Sequence, residues 1–228
     1  PEIPALAEYV KLMDRASCLE KDGVCVFTME HAMAALYGCG IDNCLIELSG
    51  EEFPILDGSA KYYVKEIEKV GFEEQKADRR YFTVKEQMEF CSEDGQTKIT
   101  LLPDTDYNIN LVVAYDSPYL QMQYATYSEK VTDFAKEIAP CRTFVFLREL
   151  EMLLQHNLIK GGDLDNAIVI VDREISQEEV NRLAKLFNHD SIEVKQGILN
   201  NLDLYFDNEP ARHKLLDVIG DLSLCGRF

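Results

Sequence analysis

An α+β fold is what this sequence predicts, and three observations carry the prediction. The chain is 228 residues long, room for one large domain or two small ones of roughly 100–130 residues each. Apolar residues make up 46% and charged residues 28%, the balance of a globular chain rather than a disordered one. Strand-like and helix-like segments follow one another in mixed order, without the strict βαβ alternation of a Rossmann sheet and without a repeat of about 20–50 residues. A boundary near Arg79–Thr83 divides the chain into a first part, 1–80, and a second, 81–228.

The elements are read in order. Val24–Phe27 is a short apolar strand, and Thr28 is placed to cap a helix from Met29 to Tyr37 that stops at Gly38 and Gly40. Cys44–Leu48 alternates as a strand. Asp57-Gly58 is a turn, after which Ser59 caps a helix to Val70 closed by Gly71. Tyr81–Val84 reads as a strand, and Met88–Phe90, Glu93-Asp94-Gly95 and Ile99–Leu101 as a hairpin. Ile109–Ala114 and Gln121–Tyr127 are strands, and Ser128 opens a helix ending before Pro140. Thr143–Phe146 is a strand leading into a helix through Leu154. Lys160–Asp163 is a loop before the apolar strand Ala167–Val171. Ser176 and Glu179 form a capping box for a helix to Phe187. The last helix starts near Asn208, carries Pro210 in its first turn and ends near Leu224 before Gly226.

Charge and cysteine usage exclude whole classes of function. With 23 Lys and Arg against 41 Asp and Glu, the net charge is -18, which disfavours duplex nucleic acid and anionic membrane surfaces as partners. A few local lysines still suffice to hold a small anionic ligand in a cleft. No apolar run approaches the roughly 18 residues of a membrane span, so stable membrane insertion is not expected. No secretory signal opens the chain, which begins at Pro1 rather than Met. The seven cysteines form no C-x-x-C pair. They read as reduced, mostly buried thiols of a cytoplasmic protein, and thiolate-held zinc is not expected.

Two of the four histidines stand in company that matters. Glu30 and His31 are adjacent at a predicted helix start, and His213 and Asp217 lie four apart on one face of the last helix, with Asp221 one turn further. Two neutral imidazoles and one carboxylate make a first shell suited to catalytic zinc, which keeps a fourth position open. An ordinary amphipathic helix explains the same spacing: Leu215, Val218, Ile219 and Leu222 form an apolar face, and His213, Lys214, Asp217 and Asp221 a solvated one. A helix-start Glu30 is also favoured by the macrodipole alone. Spacing leaves both readings open.

Longer stretches carry a resemblance. Met29-Glu30-His31-Ala32-Met33-Ala34-Ala35-Leu36-Tyr37-Gly38-Cys39-Gly40-Ile41-Asp42-Asn43, Phe53–Ala60, Arg142-Thr143-Phe144, Gly161–Val169 and Arg212–Leu222 resemble, in order, the bacterial UDP-3-O-acyl-N-acetylglucosamine deacetylases of lipid A biosynthesis. The resemblance implies two similar α+β domains, each a mixed sheet packed on helices, facing each other across the active site. It implies one Zn2+ per chain held by His31, His213 and Asp217, with Glu30 as the general base. Lys214 and Thr143 would stabilise the tetrahedral oxyanion, and Asp221 would orient a catalytic histidine. The substrate would be a UDP-linked, acylated amino sugar that loses acetate, handled in the cytoplasm of a Gram-negative bacterium by a monomer.

The same resemblance implies an inserted unit over residues 144–169 that forms an apolar passage for the acyl chain, with Leu147, Leu150, Ile159, Ala167 and Val169 as its lining, although ordinary core packing explains these residues equally well. Lys98 and Tyr115 fall near the family's nucleotide contacts. His156 and His189 match no motif of the family and are expected at the surface. The family's first strands precede Pro1, and its Ser-Gly-His motif, with the general-acid histidine, lies beyond Phe228. Truncation at both ends is therefore expected, and with it poor folding or near-inactivity of these 228 residues expressed alone. Some members are fused to a 3-hydroxyacyl carrier-protein dehydratase. Two rivals remain: a deacetylase of the same fold acting on another acyl-amino sugar, and a non-enzymatic acidic interaction module.

Overall fold

The computed structural model describes residues 2–12, 17–155, 167–186 and 189–228. Its elements form a mixed α and β architecture. A three-stranded antiparallel sheet opens the chain, with β1 (Val10–Leu12), β2 (Ser17–Lys21) and β3 (Val24–Phe27) in that order. Two helices follow, α1 (Glu30–Gly38) and α2 (Lys61–Val70), then two antiparallel hairpins: β4 (Met88–Cys91) with β5 (Lys98–Leu101), and β6 (Asn108–Val113) with β7 (Gln123–Ser128). The short helix α3 (Phe134–Glu137) leads to β8 (Phe144–Phe146), α4 (Leu147–Gln155) and β9 (Ile168–Ile170). After α5 (Gln177–Leu186), the strands β10 (Val194–Lys195) and β11 (Ile198–Leu199) complete a sheet of order β10-β11-β9-β8, in which β8 and β9 run parallel. Helix α6 (Glu209–Ser223) closes the fold.

Helix α6 is central because most of its circumference is covered. Leu215, Leu216 and Ile219 are fully buried in one core with Ala34 and Ala35 of α1, Val64 of α2, Ala125 and Tyr127 of β7, and Phe134 and Ile138. That core draws on residues from both sides of the sequence boundary at 80. A second core joins α4, α5 and β9 through Leu147, Leu150, Val169, Val180 and Leu183. The crossing of α6 over α1 is so close that a Cβ at Gly220 would run into the carbonyl of Glu30. Only glycine lets the two backbones approach this far.

Most predicted elements stand where local chemistry put them. The Ser176–Glu179 box is reciprocal: the Ser176 N–H donates to Glu179 Oε2 at 2.9 Å, and the Glu179 N–H donates to Ser176 Oγ at 3.2 Å. Gly71 ends α2 with φ 77° and its N–H on the Ile67 carbonyl. Four expectations are corrected. Cys44–Leu48 has the alternation of a strand but pairs with no strand among the described residues, and Cys44–Glu47 are exposed. Tyr81–Val84 makes only one bridge, from Tyr81 to Arg227. Ser128 ends β7, and α3 starts only after Asp133, whose carboxylate accepts from the Lys136 N–H. Thr28 does not cap α1: its hydroxyl donates to Glu52 Oε1 at 2.9 Å and its backbone is left-handed at φ 57°. The thiols are also less buried than expected, since only Cys18 and Cys141 of the seven are buried.

Two outcomes follow. Gly220→Ala should destabilise the fold by about 1–3 kcal/mol through overpacking, against the roughly 1 kcal/mol gain that helix propensity alone assigns; denaturant melts read the sign. Glu179 is held down at about 2 from the ordinary 4.5 by the Ser176 N–H, then by Arg173 and the Ser176 hydroxyl. A depressed carboxylate stabilises the fold above its unfolded pKa and stops doing so as pH falls through its folded value. The denaturation-midpoint gap between wild type and Glu179→Gln should therefore be full at pH 6 and close toward pH 2.

Candidate metal centre

The cleft is built from the start of α1, the middle of α6 and the entry to β8 between them in sequence. Left-handed Thr28 turns the chain from β3 into α1, so that Glu30 and His31 enter in the first turn. Such a backbone is unfavourable for a β-branched residue and is held here by its neighbours. From α6, His213 and Asp217 project one turn apart toward His31 because the Gly220 crossing brings the helices together. The imidazole rings of His31 and His213 stand edge to face with centroids 4.9 Å apart. Asp217 Oδ1 lies 3.4 Å from His213 Nε2 and 3.7 Å from His31 Nε2.

Hydrogen bonding sets what each atom can offer. His213 Nδ1 is 3.0 Å from the Cys141 carbonyl, an acceptor only, so Nδ1 carries the proton and Nε2 presents its lone pair to the cleft. Asp217 Oδ2 accepts from Lys214 Nζ at 2.9 Å, which turns Oδ1 toward the imidazoles. Asp217 Oδ1, His31 Nδ1 and Glu30 Oε2 are buried and lack a hydrogen-bond partner. Buried polar atoms are nearly always satisfied, and an orphaned carboxylate oxygen facing two imidazole nitrogens fits a bound cation. The three ligand atoms lie within 4.8 Å of one another. Ligands on one zinc at roughly 2.0–2.1 Å stand about 3.4 Å apart, the spacing already reached by His213 and Asp217.

Electrostatics supports the same chemistry. Burial, helped by the neighbouring His213, pushes His31 down to about 4, so it is a neutral donor at physiological pH. Burial pushes Glu30 up to about 7, with the charges of Asp217 and Asp221 adding to the rise. Burial opposes the ionised form of Asp217, but His213, Lys214 and His31 outweigh it and hold the carboxyl below its ordinary range. Lys214 is likewise penalised by burial, yet Asp217, Asp221 and Glu30 raise it overall.

The structure brings Glu30, His31, Thr143, His213, Lys214 and Asp217 around one cleft of about 240 Å³, with Thr28, Ile55 and Phe144 completing its wall. The solvated-face reading of α6 is corrected for His213, 2% exposed, and for the Asp217 side chain, 16% exposed, while Lys214 is exposed as that reading had it. Asp221 is exposed and outside the cleft wall, acting on Glu30 and Lys214 through its charge. Leu147, Leu150 and Val169 lie in the core against α5, not in the wall, while Ala167 is half-buried and its carbonyl accepts from Asn201. Ile159 and His156 lie outside the described residues, and His189 is half-buried. Lys98 is on the exposed β4–β5 hairpin, paired with Glu89 at 3.1 Å, and Tyr115 is buried edge-on against Phe144. The wall role of Thr28 was missed in the sequence, since it carries no metal or acid–base chemistry; Ile55 and Phe144 were signalled only by their places in motifs.

Comparison with known proteins decides the family. The sequence profile of UDP-3-O-acyl N-acetylglycosamine deacetylase matches residues 1–191 and 191–228. The chain belongs to that family. It is 51% identical over 228 residues to the bifunctional enzyme LpxC/FabZ of Bacteroides thetaiotaomicron and 48% identical over 229 residues to that of Porphyromonas gingivalis. In both cases all of this chain is matched but only 49% of the relative, so the chain spans about half their length. The UDP-3-O-acyl-N-acetylglucosamine deacetylase of Myxococcus xanthus is 40% identical over 225 residues, 99% of this chain and 64% of that protein. Among the described residues of this deacetylase-family chain, no helix is long and apolar enough to cross a membrane.

The site predicts that the full-length protein binds one divalent cation per chain. Equilibrium dialysis with elemental analysis should find it in the wild type and lose it in His213→Ala. Equal occupancy in that variant would place the cation elsewhere.

Proposed function

We propose that the protein hydrolyses the N-acetyl amide of a UDP-linked, 3-O-acylated N-acetylglucosamine and releases acetate, a zinc-dependent step of lipid A biosynthesis in the cytoplasm of a Gram-negative bacterium. One observation carries this reading. Glu30-His31 from α1 and His213 and Asp217 from α6 converge on a single cleft, in a chain matched over its whole length by the deacetylase family. His31, His213 and Asp217 would hold the Zn2+, which when bound supplies positive charge to the carbonyl oxygen and acidifies water.

The chain's own residues do the rest. Glu30, with one carboxylate oxygen buried and unpartnered at the cleft, takes the proton from the attacking water; a positioned general base of this kind contributes roughly 10²–10⁴ in rate. Thr143 and Lys214 face the same space from β8's entry and from α6, and donate to the oxygen that gains charge as the tetrahedral carbon forms. Donors so placed are worth about 10²–10³ each. Asp217 holds the Lys214 ammonium through Oδ2, and Asp221 keeps a third carboxylate near it.

Substrate recognition follows the chain's two parts, 1–80 and 81–228, read as two α+β domains facing each other. Glu30, His31 and Ile55 reach the cleft from the first, Thr143, Phe144 and His213 from the second. The unit around 144–169 is proposed to take the acyl chain, with Phe144 in the cleft wall at its mouth, while Leu147, Leu150 and Val169 pack the core behind it. Tyr115, behind Phe144, and Lys98 are proposed nucleotide contacts. The protein acts as a monomer, and its net charge of -18 is consistent with a small-molecule substrate rather than nucleic acid.

The test is acetate release from the UDP-3-O-acyl sugar by the full-length protein. Glu30→Gln should lower kcat by roughly 10²–10⁴ while zinc content stays at that of the wild type. An unchanged kcat would remove Glu30 from the proton transfer. Equal kcat/KM on the sugar without its 3-O-acyl chain would instead assign a different acyl-amino sugar as substrate.

A further inference from the structure

The buried carboxylate of Glu209 is not used by the chemistry above, although it is one of the most enclosed charges in the molecule, with no solvent exposure. It accepts from the Arg142 N–H at 3.0 Å and from Arg142 Nε at 2.9 Å through Oε1. Through Oε2 it accepts from Arg142 Nη2 at 3.1 Å and from the Tyr205 N–H at 2.7 Å. Its position on α6 is one turn before His213, so both side chains leave the same helix face.

What that face grips is a single peptide unit. The Cys141–Arg142 peptide offers its N–H to Glu209 and its C=O to His213 Nδ1. We propose that Glu209 is a positioning residue for the metal centre, acting through the Cys141–Arg142 peptide to hold His213 in the tautomer and orientation that present Nε2 to the cleft. The inference rests on the metal-site reading given above and deepens it.

The physical argument has three steps. A metal-binding histidine is usually fixed by a carboxylate or carbonyl on its other ring nitrogen, and losing that partner costs about 10–100-fold in affinity or activity. Here the partner is a carbonyl, which by itself is only as well placed as its peptide. An anionic acceptor on the peptide's N–H fixes the peptide plane and polarises the C=O, strengthening the bond it accepts from Nδ1. The Arg142 guanidinium neutralises the carboxylate, adds a bond to the Asp203 carbonyl at 2.7 Å and lies over the Tyr205 ring. The next residue, Thr143, is tied in the same stroke: its N–H donates to the Gly58 carbonyl at 2.7 Å.

The experiment uses the full-length protein with ¹⁵N-labelled histidine. In the metal-free wild type, the His213 ring nitrogens should report the Nδ1–H tautomer; an Nε2–H tautomer would overturn the proposal whether or not any variant folds. In folded Glu209→Gln, where an amide N–H₂ must face two donors, His213 should show a mixture of tautomers and zinc affinity should fall about 10–100-fold, measured by competition with a chelator. Glu209→Asp, which keeps the charge, should recover part of the affinity. A Glu209→Gln protein with lowered melting temperature but wild-type tautomer and zinc affinity would make Glu209 merely structural and sink the idea. If the wild type binds no zinc at all, the deacetylase reading fails, and the tautomer comparison still decides whether Glu209 acts on His213.

Discussion

The close crossing of α1 and α6 at Gly220 is the constraint from which the site follows. With any side chain at that position the Glu30 carbonyl would have to move, and Glu30 and His31 would leave with it. Contact between the helices also gives α6 its unusual distribution of burial. Leu215 and Ile219 enter the apolar core, while His213, on the side turned to α1, is as buried as they are. The part of the polar stripe that carries His213 and Asp217 is thereby shut against a second helix. Its groups must find partners in each other, in backbone or in an ion.

Charge is then used locally against the character of the whole chain. The molecule is strongly anionic, and around the cleft Glu30, Asp217 and Asp221 continue that excess. Lys214 is the cation set among them, half-exposed and held by its ion pair with Asp217. Burial raises the proton affinity of Glu30 and lowers that of His31, moving the two neighbours in opposite directions. The outcome is a carboxyl group ready to hold a proton beside a neutral imidazole.

How much of this was readable beforehand depended on whether the cause was local. The Ser176–Glu179 box, the Gly71 stop, the hairpin around Glu93-Asp94-Gly95 and the Asn208–Pro210 start of α6 are decided within a few residues, and all stand as read. Cys44–Leu48 and Tyr81–Val84 have strand-like composition, but a strand needs a partner, and none is supplied by their own sequence. Thr28 is a good cap by type and fails because its backbone is left-handed and α1 starts at Glu30, which leaves Met29 in the cap position. For the site, the spacing of His213 and Asp217 could not by itself distinguish a solvated face from a ligand set. Whether His213 and Asp217 are solvated or enclosed lay in Gly220, a residue with no chemistry of its own, and in which helix it faces. The family motifs pointed to the ligand set; Glu209 and the wall role of Thr28 needed the three-dimensional arrangement.

The segment 139–143 links these levels. Its Ala139 carbonyl accepts from the Ala60 N–H at the start of α2, and its Thr143 N–H donates to the Gly58 carbonyl just before it. Its Cys141 carbonyl and Arg142 N–H are both taken by α6, and the Thr143 carbonyl accepts from the Ile168 N–H at the start of β9. Five residues without regular secondary structure are therefore bonded to the first part of the chain, to α6 and to β9 of the β8–β9 parallel pair. A loop fixed at so many points has little freedom left, and freedom is what a hydroxyl donor such as Thr143 must lack if it is to meet a developing charge without reorganisation. The same bonds make the cleft's two walls mechanically one: a shift of α2 relative to α6 has to strain this segment first. The geometry of the cleft is thus stabilised less by the cleft residues themselves than by the backbone of the stretch that runs behind them.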